Sequence, residues 1–154
     1  MANTRQARKT AVGGWPKRGE IYLTALDPTV GHEIKKTRPA LIVQNDTSNR
    51  YSAVTMVAPI TFTVRLPLSP LHVLLPADTS TGLAVASVAV FNQIRAVDRN
   101  RLIKKLGEID ALILAQVDEA IRVAFGLPLP DSPATITKAI SEGAGNIQTG
   151  RYEP

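Results

Sequence analysis

The sequence predicts a mostly β domain that ends in a helix, an α+β chain built on a small curled antiparallel sheet or barrel. Short segments of β-branched and apolar residues follow one another first, with turn-forming clusters between them. Helical spacing of apolar residues is strongest later, over residues 109–127. The chain has 154 residues, of which 44% are hydrophobic, enough for one substantial core.

The predicted strands are bounded by turn residues and prolines. They are Glu20–Leu26, Arg38–Gln44, Ser52–Ile60, Leu71–Leu75 and Leu83–Val97. The last segment is too long for one simple strand, so we expect it to bend or break near Ala86–Ser87 and give two. Pro59 lies near the end of its strand, where a missing N–H donor does least harm. The run Asn45–Asn49 predicts a turn.

Two helices are predicted after the strands. Asp98 can cap a short helix over Arg99–Leu106. The second helix covers Ile109–Leu127 and ends near Gly126. Its apolar stripe, which we expect to face the core rather than to form a free docking face, consists of Ile109, Leu112, Ile113, Val117, Ile121 and Phe125.

The net charge of +5 belongs to one end of the chain. Residues 1–18 carry five basic side chains and no acidic one, and the other residues carry 13 of each sign. We therefore expect a flexible basic arm over 1–16, one folded domain over 17–127, and a Pro/Gly-rich tail over 128–154. Within that tail, Ala134–Ile140 could form a turn of helix.

Composition excludes several classes of protein. No cysteine is present, which rules out disulfides, zinc–thiolate sites and a cysteine nucleophile and fits a reducing cytoplasm. Only His32 and His72 are available as imidazole ligands, so we expect no metal and no cofactor. No run of about 18 apolar residues predicts a membrane span, and the N-terminus lacks the apolar core of a secretory signal.

The segment Leu26–Val43 concentrates the functional side chains. Between two predicted strands it carries His32, Glu33, Lys35, Lys36, Thr37 and Arg38. Pro39 disfavours a helical backbone at Arg38, so this guanidinium stands at the start of a strand. A fixed arginine near a carboxylate and an imidazole is a set with which a small β protein could build a phosphodiester site.

Six short motifs follow one another along the chain: Lys17–Tyr22, Leu26–Glu33, Thr37–Pro39, Asn45–Arg50, Val57–Thr61 and Gln93–Asp98. In this order they resemble the MazF/PemK/Kid toxins of bacterial type II toxin–antitoxin pairs. The resemblance implies an SH3-like barrel of the MazF/CcdB type, a homodimer, and a metal-independent, sequence-selective endoribonuclease that cleaves single-stranded mRNA. It also implies a cognate antitoxin whose extended C-terminal segment covers the RNA groove.

The resemblance implies catalytic roles for two residues. Arg38 falls on the family's essential arginine, whose planar fork would stabilise the charge of the phosphorane. Thr61 falls on the family's catalytic hydroxyl and would orient the phosphate or the 2′-hydroxyl. The structural alternatives are an ion pair between Arg38 and Glu33 or Asp27, and a Thr61 that only caps a turn.

Proton transfer is left open by the sequence. Glu33 could be the base or could orient Arg38, and a solvated loop carboxylate is the alternative. His32 matches a phosphate-stabilising histidine of the Kid branch, and an incidental loop histidine is the alternative. An arginine and an aspartate act as acid and base in that branch, but Val90 and Asn92 stand at those positions here. That scheme is therefore not available, and the base is unassigned.

The predicted RNA-binding residues lie in two regions. Lys35, Lys36 and Thr37 would contact RNA from the loop, although a solvated loop face is an alternative for the two lysines. Asn92 and Gln93 are polar positions that could read base edges, and Thr55 is a further candidate.

Two other classes of function compete with the ribonuclease. CcdB toxins share the implied fold and poison DNA gyrase without being enzymes, and an SH3-like interaction module would have no catalytic site. Neither alternative gives a chemical reason for the pair Arg38 and Thr61.

Overall fold

The computed structural model describes residues 14–129 and confirms the predicted fold class. Its elements are β1 Glu20–Ala25, β2 Thr37–Ile42, α1 Asp46–Tyr51, β3 Val54–Thr61, β4 His72–Leu75, β5 Ser87–Val90, β6 Arg95–Asp98, β7 Leu102–Glu108 and α2 Ala111–Phe125. The possible helical turn at Ala134–Ile140 lies outside the described residues, as do all but three residues of the predicted arm and all but two of the tail. Within 14–129, neither helix has the length and apolar character needed to cross a membrane.

Seven antiparallel strands form one curled sheet in the order β4-β5-β3-β2-β1-β7, and β6 pairs with the first half of β3. Over the described residues the sheet does not close into a barrel, since β4 and β7 remain at its ends. Residues of one face, such as Ile21, Leu41 and Phe91, form the main core with α2. A smaller cluster that includes Tyr22 and Ile42 covers the other face.

The break between β5 and β6 shapes the region of interest. Both strands lie along the same edge of β3, where Ala89 pairs with Ile60 and Arg95 pairs with Val57. The chain therefore advances six residues between these two pairs, whereas β3 advances only three. The extra residues form a 3₁₀ turn over Phe91–Gln93. The break coincides with Pro59, which has no N–H to donate to a ladder. The predicted bend near Ala86–Ser87 was wrong in position, since β5 begins there.

The predicted helix over Arg99–Leu106 was wrong. Asp98 does cap a turn, accepting from the Asn100 amide at 2.8 Å, but that 3₁₀ turn ends at Arg101. The chain then continues as β7, which pairs with β1. A helix of eight residues satisfies few of its own backbone groups, whereas β1 offers a complete ladder.

The predicted turn over Asn45–Asn49 is instead the start of α1. The Asn45 side chain caps this helix by accepting from the Ser48 amide at 2.8 Å. Asn49 is fully buried and holds the helix to β3, since its Oδ1 accepts from the Thr55 hydroxyl at 2.7 Å. Its Nδ2 donates to the Gln44 carbonyl at 2.9 Å. Turn-forming residues here serve as a cap and a buried hydrogen-bonding group.

The C-terminal helix α2 matches its predicted end signals. Asp110 accepts from the Ile113 amide at 2.8 Å, and Gly126 closes the helix with a left-handed φ of 65°. Val117 lies in the core, but the predicted stripe is only partly buried. Leu112 and Phe125 are 72% and 61% exposed, so their assignment to the core was wrong.

Two glycines allow a close backbone contact between β7 and the segment before β5. Gly82 has a φ of +68°, and a Cβ there would collide with the backbone oxygen of Leu106. A Cβ at Gly107 would collide with the Ser80 oxygen, while the Glu108 amide donates to that same oxygen at 2.8 Å. Only glycine fits such an approach.

We therefore expect Gly82→Ala to destabilise the protein much more than Gly126→Ala. Both positions have similar positive φ values, but the space around Gly126 is open. The left-handed conformation alone costs about 1–2 kcal/mol, and the collision at residue 82 should add about 1–3 kcal/mol or more. Urea unfolding of the two variants measures the difference. Equal losses of stability would contradict the close contact.

Candidate active site

The loop between β1 and β2, residues 26–36, carries most of the predicted site residues. The two ends of this loop are joined by a hydrogen bond, in which the Leu26 amide donates to the Lys36 carbonyl at 3.0 Å. Lys36 has a φ of 71°, a left-handed conformation that costs a non-glycine residue about 1–2 kcal/mol. Such a conformation persists only when the surrounding contacts enforce it.

Three side chains from the region after β5 hold this loop. Arg95 donates to the Leu26 carbonyl at 2.9 Å, and Arg101 donates to the Asp27 carbonyl in the loop and, at 3.0 Å, to the carbonyl of Ala25 at the end of β1. The Gln93 side-chain oxygen accepts from the Ile34 amide at 2.7 Å. Sequence reasoning missed the roles of Arg95 and Arg101. Their only signal was that Arg95 lies inside a motif of the resemblance.

The guanidinium of Arg38 is fixed at one end and open at the other. Its Nε donates to the Lys35 carbonyl at 3.0 Å. Among residues 14–129 no carboxylate forms an ion pair with Arg38, so the predicted structural alternative with Glu33 or Asp27 is absent there. The two Nη groups make no hydrogen bond to any described residue, and they can therefore hold two phosphate oxygens.

Thr61 ends β3 and lines neither of the two pockets near the loop, and its position relative to Arg38 follows from strand register. In the β2–β3 pairing, Leu41 faces Ala58 and Ala40 faces Pro59. The same register continued by two residues places Thr61 across from Arg38, and directly opposed residues share a face. The Thr61 hydroxyl accepts from the Thr63 amide at 3.3 Å, which is the turn cap of the structural alternative. Its proton remains available for a phosphate oxygen.

Two pockets, each of about 370 Å³, contain most of the other predicted residues. The Glu33 pocket brings together Glu33, Pro59, Asn92, Gln93 and Arg95. The Arg38 pocket is formed by Lys36, Thr37, Arg38, Ile60, Phe62, Leu83 and Val85, among others. The structure thus gathers most of the predicted site residues but separates Glu33 from Arg38.

The Glu33 carboxylate folds back on its own loop. Its Oε2 accepts from the Val30 amide at 3.2 Å, and the side chain is exposed. Orientation of Arg38 by Glu33, one of the two predicted roles, is therefore not seen. His32 and Lys35 are exposed and line neither pocket.

Thr55 does not face a groove, and its selection as an RNA-binding candidate was wrong. The side chain is fully buried and donates to Asn49. In the part of the chain that the structure describes, no three His, Cys, Asp or Glu side chains lie close enough together to hold a metal ion.

The clearest perturbation of a titratable group lies outside this site. Burial, followed by a 2.9 Å hydrogen bond to the Glu20 carboxylate, raises the pKa of the Tyr22 phenol well above its usual range. Lys105 lies 3.5 Å from the same carboxylate. Tyr22 therefore keeps its proton and donates it to Glu20 within β1, and Glu20 in turn pairs with Lys105 of β7.

Comparisons with known proteins agree on one family. The family model described as PemK-like, MazF-like toxin of type II toxin–antitoxin systems matches residues 17–125. Endoribonuclease EndoA of Bacillus subtilis is 38% identical over 111 residues, which cover 72% of this chain and 95% of that protein. Endoribonuclease MazF9 of Mycobacterium tuberculosis is 39% identical over 116 residues, covering 72% and 97%.

A solved structure gives the same result. A mycobacterial endoribonuclease in complex with its cognate antitoxin aligns with a TM-score of 0.61 and 28% identity, covering 75% of this chain and 99% of that one. The chain therefore belongs to the PemK-like, MazF-like toxins of type II toxin–antitoxin systems.

Proposed function

We propose that this toxin is a metal-independent, sequence-selective endoribonuclease that cleaves single-stranded mRNA. The 2′-oxygen attacks the adjacent phosphorus and loses its proton to a base, while the bond from phosphorus to the 5′-oxygen breaks and that oxygen gains a proton. The products are a 2′,3′-cyclic phosphate and a 5′-hydroxyl. The observation that carries the proposal is the guanidinium of Arg38, whose Nη groups bind no described residue, and the β2–β3 register extended by two residues supports a place for Thr61 opposite it.

Arg38 supplies the positive charge that this reaction needs. Its Nε is held by a backbone carbonyl, so the fork is positioned before RNA binds and little reorganisation is needed at the moment of reaction. The two Nη groups bind the non-bridging oxygens as their negative charge grows. Thr61 donates its hydroxyl proton to the same phosphate or to the attacking 2′-oxygen.

Proton transfer falls to the loop residues Glu33 and His32 in this proposal. Glu33 lines a different pocket from Arg38, so it acts as the base only when the loop moves its carboxylate toward the phosphate held by Arg38. His32 is exposed on the same loop and would approach the phosphate as a hydrogen-bond donor.

The remaining predicted residues bind the RNA chain. Lys35, Lys36 and Thr37 are exposed next to Arg38 and contact the flanking phosphates. Asn92 is exposed in the Glu33 pocket and reads the edge of an unstacked base. Gln93 uses its oxygen for the loop, so only its NH₂ group is available to RNA.

We place the activity in residues 17–127, in a homodimer located in the cytoplasm, where mRNA is available. The basic arm over 1–16 and the tail over 128–154 are outside the catalytic unit. Exposed Leu112 and Phe125 on α2 provide apolar surface that a second copy can cover. A cognate antitoxin neutralises the toxin, as expected for a family of paired toxins and antitoxins.

A gyrase poison of the CcdB type is the second candidate function. It is disfavoured because binding a protein gives no chemical reason for a guanidinium that pairs with no carboxylate of residues 14–129. The relatives named above are also called endoribonucleases.

Incubation of the purified protein with a long single-stranded RNA in excess EDTA should give fragments that end in a 2′,3′-cyclic phosphate. The 2′-hydroxyl is the nucleophile, so no metal-bound water is required. Mass spectrometry of the fragment ends is the measurement. Intact RNA together with inhibited gyrase would favour the CcdB-type reading instead.

Arg38→Ala should lower the single-turnover cleavage rate by about 100- to 1000-fold, the usual loss when one preorganised donor is removed. Arg38→Lys should recover only part of the rate, because a lysine keeps the charge but not the fork. Unchanged thermal unfolding of both variants would show that the fold is intact. Full activity of Arg38→Ala would remove this residue from the mechanism.

Gln93→Ala should slow cleavage and also loosen the loop, whereas Gln93→Glu retains an acceptor for the Ile34 amide. Hydrogen exchange at Ile34 separates positioning from direct RNA contact. We expect faster exchange in Gln93→Ala and slow exchange in Gln93→Glu. A slower reaction with unchanged exchange at Ile34 would mean that Gln93 acts on RNA alone.

A further inference from the structure

Phe62 is an exposed aromatic residue for which the fold gives no reason. It follows β3 directly and is 68% exposed. The exposed rings of Trp15 and Tyr51 both lie 5.2 Å from the Arg50 guanidinium, so they are held within a cluster of their own. Phe62 instead lies 6.0 Å from the guanidinium of Arg38.

The pocket beside Phe62 combines apolar side chains with two cationic ones. Ile60, Leu83 and Val85 line the Arg38 pocket together with Phe62, and the cationic side chains Lys36 and Arg38 line it as well. Its volume of about 370 Å³ falls in the usual range for small organic ligands. An aromatic face beside two cations suits a planar group that is attached to an anion.

We propose that the Arg38 pocket binds an unstacked nucleobase of the RNA, stacked on the ring of Phe62, next to the scissile phosphate held by Arg38. This inference rests on the proposed ribonuclease activity and deepens it by naming a base-binding subsite. A base is joined to its phosphate through a single sugar. When Arg38 holds that phosphate, the neighbouring base therefore lies within reach of a ring 6.0 Å away.

The subsite explains how a chain with few aromatic residues can bind single strands. Aromatics make up 5% of the sequence, too few for a broad stacking platform. One ring placed at the reacting phosphate is enough to hold the base beside the cleaved bond. Every base has a π face, so Phe62 contributes affinity at this position rather than a choice among bases.

An uncleavable RNA tests the subsite without depending on catalysis. The probe is an RNA that contains the motif cleaved by this protein, with the scissile 2′-hydroxyl replaced by hydrogen and 2-aminopurine next to the scissile phosphate. Stacking on Phe62 should quench the fluorescence of the bound probe. Phe62→Ala should abolish the quench and weaken binding by roughly 5- to 150-fold, while Phe62→Trp should keep both.

Two controls make the result specific. Phe62→Leu keeps the apolar wall without an aromatic face and should lose the quench as Phe62→Ala does. Tyr51→Ala removes a ring that is 76% exposed but precedes β3, so the length of this strand separates it from Phe62, and RNA binding should not change.

The possible outcomes separate this inference from the function on which it rests. If the wild-type protein neither binds nor cleaves RNA, the proposed function fails and the subsite fails with it. If it binds and cleaves RNA but Phe62→Ala keeps full affinity and quench, the subsite alone is overturned. If Phe62→Ala weakens only the binding of an antitoxin peptide, the pocket receives a protein side chain and the subsite is again overturned.

Discussion

The hydrogen bonds between the β1–β2 loop and the chain after β5 are the contacts on which the site depends. Gln93, Arg95 and Arg101 all bind backbone atoms at or near the loop. Gln93 reaches the Ile34 amide because the break between β5 and β6 places a 3₁₀ turn beside Pro59. Without this break the segment would continue along β3, and its side chains would alternate between the faces of the sheet.

The loop held by these hydrogen bonds in turn positions the guanidinium of Arg38. Because the Lys35 carbonyl holds Nε, the terminal nitrogens point away from the backbone bond and can act together on one anion. No carboxylate in the described part of the chain neutralises this guanidinium. The positive charge is therefore available to a phosphate. This local charge matters because the chain after residue 18 carries equal numbers of acidic and basic residues.

The sequence predicted elements whose signals are local. The ends of α2 follow from Asp110 and Gly126, and the strands flanking the loop follow from their apolar residues. The helix predicted over Arg99–Leu106 does not form, because these residues include most of β7, which pairs with β1. This pairing depends on residues distant in sequence, so local patterns do not predict it.

The same limit applies to the candidate site. Arg38 and Thr61 were found through the order of motifs, but the contact of Gln93 with Ile34 spans 59 positions and has no local signature. Phe62 follows Thr61 directly in sequence, yet its approach to Arg38 depends on how β2 and β3 pair. Sequence patterns give the types of residue that a site needs. Strand register decides which of them meet.

The most direct test of this account is a double-mutant cycle on single-turnover RNA cleavage with Arg38→Ala, Thr61→Val and the combined variant. Residues that act on one phosphate are energetically coupled, so their losses do not add. We predict that the combined variant cleaves about as slowly as Arg38→Ala alone. Losses that simply multiply would mean that Arg38 and Thr61 act independently, which would contradict a shared phosphate site across β2 and β3.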